Sequence, residues 1–152
     1  MKFSWLVLLV GIVLFSCNKN ELSEEEQLEV DIKEIEEYLE ENNLSAQKTD
    51  SGLHYVIDQQ GTGAKPSSQS DVTIRYKGYF TDENIFDQSS EVGATFNLQN
   101  LISGWQEGIP LFNEGGKGML LIPSKLGYGP NGNQSVPPNS VLIFDIELMK
   151  VD

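Results

Sequence analysis

Six aromatic side chains, Tyr76, Phe86, Phe96, Trp105, Tyr128 and Phe144, fall near loops and strand ends in the second half of the chain. Such a set either fills a core or lines an apolar pocket that offers a few hydroxyls. The residue types for other chemistry are absent or isolated. With a single histidine, His54, and a single cysteine, Cys17, there is no cluster to ligate a metal. No serine is given a histidine partner. The loop carboxylates Asp87 and Glu114 lack an evident second member for paired acid–base work.

The element that must position these rings is the stretch Leu101-Ile102-Ser103-Gly104-Trp105-Gln106-Glu107-Gly108. Leu101, Ile102 and Trp105 stand at i, i+1 and i+4, which predicts one shared helix face, with Gln106 and Glu107 pointing away. Gly108 and Pro110 are expected to end the helix. A helix this short does not stand alone in water, so a sheet has to hold it. The strands follow from period-two alternation. They are Leu53–Asp58, Val72 to Phe80 interrupted by Gly78, Ile85–Asp87, Ala94–Leu98, Lys117–Pro123 and a last strand carrying Leu142, Phe144, Ile146 and Leu148. His54 is expected on a polar strand face. A glycine- and proline-bearing loop spans Ser124–Asn139. Several antiparallel strands crossed by one short helix predict an α+β domain.

The front of the chain reads differently. Residues 1–16 hold one lysine and then an uncharged apolar run, short for a membrane span and suited to an export signal. The run ends in Leu14-Phe15-Ser16-Cys17, which resembles the bacterial lipobox, so Cys17 is the expected lipidation site and the membrane an expected partner through that lipid. Residues 17–48 then read as a lipidated start and an acidic helix. Glu21–Glu41 carries eleven acids and one lysine within a chain of net charge −13. That balance argues against nucleic acid as a partner. Ser23-Glu24-Glu25-Glu26 is a capping box, and Leu28, Ile32, Ile35 and Leu39 form a narrow apolar stripe on a helix ending near Asn42-Asn43. The stripe could dock on the chain's own domain, serve a spacer, or form a weak homodimer.

Taken together, Tyr76-Lys77-Gly78, Phe86-Asp87-Gln88-Ser89-Ser90, the Leu101–Gly108 stretch, Ile122-Pro123, Leu126-Gly127-Tyr128-Gly129, Val136-Pro137-Pro138-Asn139 and Leu142–Leu148 closely resemble the FKBP-type peptidyl-prolyl isomerases in order and spacing. The lead-in Thr49–Tyr55 looks like the bacterial exported members. The resemblance covers about residues 49–151, within an expected domain of residues 49–152, and implies an antiparallel half-barrel wrapped around the Trp105 helix. It implies a peptidyl-prolyl cis–trans isomerase that acts on proline-containing polypeptides without a cofactor, assisting the folding of envelope or exported proteins. The expected setting is the bacterial envelope, outside the cytoplasm. Carried over by position, Tyr76, Asp87, Ile102 and Tyr128 would be catalytic, and Phe86, Leu101, Trp105, Val136 and Phe144 would hold substrate. The alternative is a non-catalytic binding or chaperone module using the same pocket. Two departures from the family pattern stand out: Glu83 at a turn position usually held by glycine, and Ala94 where some members have an aromatic, which would open one side of the pocket.

Overall fold

The computed structural model describes residues 22–152, so the export segment and Cys17 lie outside the described residues. Helix α1 (Glu24–Glu41) begins with the expected capping box. The Ser23 side chain accepts from the Glu26 N–H at 3.2 Å, and the Glu26 carboxylate accepts from the Ser23 N–H at 2.9 Å. These two bonds satisfy donors that the first helical turn leaves open. Asn42 caps the other end, and Asn43 turns the chain with a φ of 54°.

Seven strands follow: β1 (Gln47–Lys48), β2 (His54–Gln59), β3 (Asp71–Tyr79), β4 (Ile85–Gln88), β5 (Ala94–Asn97), β6 (Lys117–Ile122) and β7 (Leu142–Val151). All pair antiparallel in the order β1-β2-β6-β7-β3-β4, with β5 also hydrogen-bonded to β3. Irregular register within the β2–β6, β3–β4 and β3–β7 pairings adds twist that a flat ladder would lack. The second helix, α2 (Ser103–Gly108), lies on the inner face. There Leu53, Val72, Ile74, Leu120, Ile122, Leu142, Phe144, Ile146 and Leu148 form one buried cluster with Trp105, Ile109 and Phe112.

The other face is covered as well. Ile35, Tyr38 and Leu39 of α1 pack with Tyr79, Leu121, Val141 and Ile143 in a second buried cluster. Ile35 and Leu39, the second half of the stripe expected on α1, are therefore docked on the chain's own sheet, while Leu28 and Ile32 are half-buried beside Gly52. This explains why β7 departs from strict alternation: Leu142, Ile143 and Phe144 are all buried, in turn against the inner and outer layers. It also corrects the reading of His54. Its side chain shares the α1-covered face with its cross-strand partner Leu121, is 4% exposed, and places Nδ1 2.9 Å from the Gly52 carbonyl oxygen. Burial holds its pKa below the ordinary histidine value.

One local expectation is revised. Leu101 and Ile102 are extended residues between a 3-10 turn (Leu98–Asn100) and α2, so the helix is six residues long. The α-helix ends at Gly108 as expected; Gly108 itself keeps helical angles (φ −78°, ψ −42°), and the chain winds on as a 3-10 turn over Ile109–Leu111 that includes Pro110. At the β3–β4 turn Glu83 itself takes the left-handed conformation, φ 67°. That costs a non-glycine residue roughly 1–2 kcal/mol. Asp82 offsets it by accepting from both the backbone N–H (3.0 Å) and the side-chain amide (2.8 Å) of Asn84.

Candidate active site

On the inner face an open cleft of about 290 Å³ is lined by Tyr76, Asp87, Phe96, Asn100, Leu101, Ile102, Trp105, Tyr128 and Phe144. Trp105 forms its floor because α2 can lie unusually close to β6. A Cβ at Gly104 would come within 2.5 Å of Ile122, and one at Gly108 within 2.7 Å of Leu120. Glycine at these two positions, one turn apart, lets the helix press the indole into the sheet.

Three rings stand edge-on around that indole. Tyr76 and Phe144 each have centroids 5.1 Å away, at interplanar angles of 88° and 83°, and Phe96 lies at 6.0 Å and 89°. This arrangement suits the quadrupoles of neighbouring rings and fixes each wall against the others. The indole Nε1 is buried and has no acceptor among the described residues.

At the rim the Tyr76 hydroxyl donates to Asp87 Oδ2 at 2.8 Å. Burial, reinforced by this bond, pushes the phenol far above its ordinary pKa, so the hydroxyl keeps its proton. Leu101 and Ile102 reach the cleft from the extended segment before α2. That segment is held by Gln106, whose side-chain amide donates to the carbonyls of Leu101 (2.7 Å) and Gln99 (3.3 Å). Gln106 therefore folds back onto the segment it was expected to point away from. Tyr128 enters from the 124–139 loop and is 39% exposed. Asn133 stiffens that loop by accepting from the Ser135 and Val136 N–H groups at 2.7 and 2.8 Å.

Seven of the nine residues expected in the site thus meet at one cleft: Tyr76, Asp87, Leu101, Ile102, Trp105, Tyr128 and Phe144. Phe86 and Val136 do not border it. Phe86 packs edge-on to Phe144 (5.4 Å) and against Phe80 (4.9 Å), supporting the wall from behind. Gly78 makes room for this pair, since a Cβ there would meet Phe144 at 2.7 Å and Phe86 at 2.8 Å. Val136 is 2% exposed within the inner cluster. The cleft instead gains Phe96 and Asn100. Phe96 was visible in the sequence as one of the six aromatics, whereas nothing local marks Asn100. Ala94 stands opposite Ile74 in the sheet, away from the cleft lining.

The model of the FKBP-type peptidyl-prolyl cis-trans isomerase family matches residues 62–149. The chain belongs to that family. An FKBP-type isomerase, FkpA, from Aeromonas hydrophila is 44% identical over 124 residues, covering 79% of this chain and 46% of the relative. FkpA from Escherichia coli K12 is 38% identical over 118 residues, covering 76% of this chain and 43% of the relative. The chain thus spans a little under half the length of these curated relatives. Among solved structures, a peptidyl-prolyl cis-trans isomerase from Pseudomonas syringae superposes with a TM-score of 0.74 at 30% identity, over 87% of this chain and 98% of that one. The crystal structure of Escherichia coli FkpA gives 0.73 at 30% identity, over 87% and 74%. The FKBP-type span contains every residue that lines the cleft, while α1, β1 and β2 precede it.

Proposed function

We propose that this FKBP-type domain catalyses cis–trans isomerisation of Xaa-Pro bonds in proline-containing polypeptides. The observation that carries the reading is the open aromatic slot floored by Trp105, with the Tyr76–Asp87 hydrogen bond at its rim. Rotation about an Xaa-Pro bond is slow because amide resonance resists twisting, a barrier near ~18–20 kcal/mol. The planar amide is more polar than the twisted one, so moving it into a dry site raises the ground state relative to the transition state. No nucleophile or cofactor takes part.

Roles follow from position. Trp105, Phe144 and Phe96 would surround the prolyl ring, with Phe86 and Val136 backing them and Leu101 extending the wall. The Ile102 N–H, paired with no carbonyl among the described residues, would donate to a substrate carbonyl, as would the Tyr128 hydroxyl. The Tyr76 hydroxyl, kept protonated, would fix the Asp87 carboxylate beside the twisting carbonyl. A protease-coupled assay on a proline peptide, using the chain from Asn18 onward, tests this. Acceleration of the slow phase is expected. Peptide binding without acceleration would make the domain a binding module instead.

We further propose that residues 1–16 direct export and that Cys17 carries the lipid, placing the domain on a membrane outside the cytoplasm. The support is the uncharged run before Leu14-Phe15-Ser16-Cys17. Among the described residues no helix is long and apolar enough to cross a membrane. Metabolic labelling with a fatty-acid analogue should mark the wild type, and Cys17→Ala should abolish the label. Residues 17–48 would then serve as tether and docking helix to the 49–152 domain. Because Ile35 and Leu39 are buried on the sheet and Leu28 and Ile32 are half-buried, Val30 and, just before α1, Leu22 are the large apolar groups left exposed there for a weak homodimer.

A further inference from the structure

Asp31 is an anomaly on α1. It belongs to the most acidic stretch of the chain, yet it is fully buried, one turn before Ile35 on the face that meets the sheet. A buried carboxylate is costly unless its oxygens are bonded. Both are: Oδ1 accepts from the Gln27 side chain at 2.7 Å, and Oδ2 accepts from the Ser124 backbone N–H at 2.7 Å, 93 residues away.

Ser124 opens the 3-10 turn Ser124–Leu126 directly after β6, and it is 2% exposed. The residue in the capping position is Pro123, which makes no side-chain cap bond. Asp31 supplies from another element the acceptor that a serine or aspartate would normally supply from the cap itself. The turn then hands the chain on tightly. Leu126 N–H donates to Pro123 O and Gly127 N–H to Ser124 O, both at 2.9 Å, and the next residue is Tyr128, on the cleft. A leucine at position 31 would extend the apolar stripe, so packing alone does not ask for aspartate here.

We propose that Asp31 is a positioning residue for the active site: it acts as a remote cap that fixes the Ser124–Gly127 turn and through it the placement of the Tyr128 hydroxyl. The acidic helix is thereby part of the isomerase machinery, although it lies on the opposite face of the sheet and outside the family span. This inference rests on the isomerase reading for its kinetic consequence, and the test separates the two.

The full chain in detergent is compared with Asp31→Leu, which fills the space but offers no acceptor, and Asp31→Asn, which retains one. Hydrogen exchange at the amides of residues 124–128 should rise at least several-fold in the leucine variant, return toward wild type in the asparagine variant, and leave β3 and β7 unchanged. In the proline-peptide assay Asp31→Leu should lower kcat/KM by about tenfold, the scale of one lost hydrogen bond. Asp31→Asn should recover most of that loss. Added to Tyr128→Phe, Asp31→Leu should change little further, because both act through one hydroxyl. Unchanged exchange at 124–128, or full additivity with Tyr128→Phe, overturns the proposal. A wild-type chain without isomerase activity sinks the functional reading instead, and the exchange result alone then decides whether Asp31 holds the turn.

Discussion

Gly104 of α2 and Ile122 of β6 are in such close register that a Cβ on the glycine would lie 2.5 Å from Ile122 Cγ2 and 2.8 Å from its Cδ1. The helix cannot back away without lifting the indole next to Gly104 off its three ring contacts. Gly104→Ala should therefore destabilise by roughly 1–3 kcal/mol through overpacking, despite alanine's better helix propensity. Thermal unfolding should show a drop of several degrees. The same variant should also lose peptide turnover, because the floor of the cleft moves.

The Tyr76–Asp87 pair makes a different prediction, about rate with the fold intact. Tyr76→Phe removes only the hydroxyl and should lower kcat/KM several-fold, on the order of 1 kcal/mol. Asp87→Leu should lower it further. The double variant should resemble Asp87→Leu alone, since one hydrogen bond links the two. Equal rates in all four proteins would show that the slot works without its rim.

His54 gives the fold a pH signature. Desolvation under α1 depresses its pKa, with the Gly52 carbonyl and nearby Glu36 pulling the other way and Lys48 adding to the depression. The unfolded chain then takes up this proton near pH ~6.5, while the folded chain resists it. The associated stability is complete above about pH 6.5 and is lost as pH falls through the folded value. His54→Gln should flatten the fall in melting temperature between about pH 6.5 and 5, the range above most carboxylate titration. An unchanged slope would show that His54 is not the group responsible.

The capping box of α1 is open to a local test. Ser23→Ala removes the acceptor for the Glu26 N–H and should cost about 1 kcal/mol. The loss should be confined to the first turns, because the buried contacts of α1 begin at Asp31. Helical content should fall slightly while the β-sheet amides keep their exchange protection.

Much of this structure could be read from local pattern. The capping box, the alternating strands and the glycine-flanked tryptophan are determined within a few residues of themselves, and all appear close to where they were expected. The strand order was a different matter. Nothing in the alternation says that β6 inserts between β2 and β7, and only the family resemblance supplied that curvature.

Side-chain roles set by distant partners stayed hidden for the same reason. Asp31 and His54 look like members of polar faces until one knows that α1 lands on the outside of the sheet. Phe86 and Val136 exchanged places with Phe96 and Asn100 because the difference between lining a wall and backing it lies in how rings are turned, and spacing does not record that. Gln106 likewise gave no sign that it would fold back onto the carbonyls of Gln99 and Leu101.

The margins of the sheet carry one more consequence. One side ends in β1, a mere two residues, Gln47 and Lys48, and the other in the four-residue β4 with β5 beside it on β3. Long bare strands recruit other extended chains by backbone pairing, and very short ones offer little to pair with. Under the proposed function, the domain would meet such chains in its polypeptide substrates. With margins this brief, it would take them into its aromatic slot without offering a template for their aggregation.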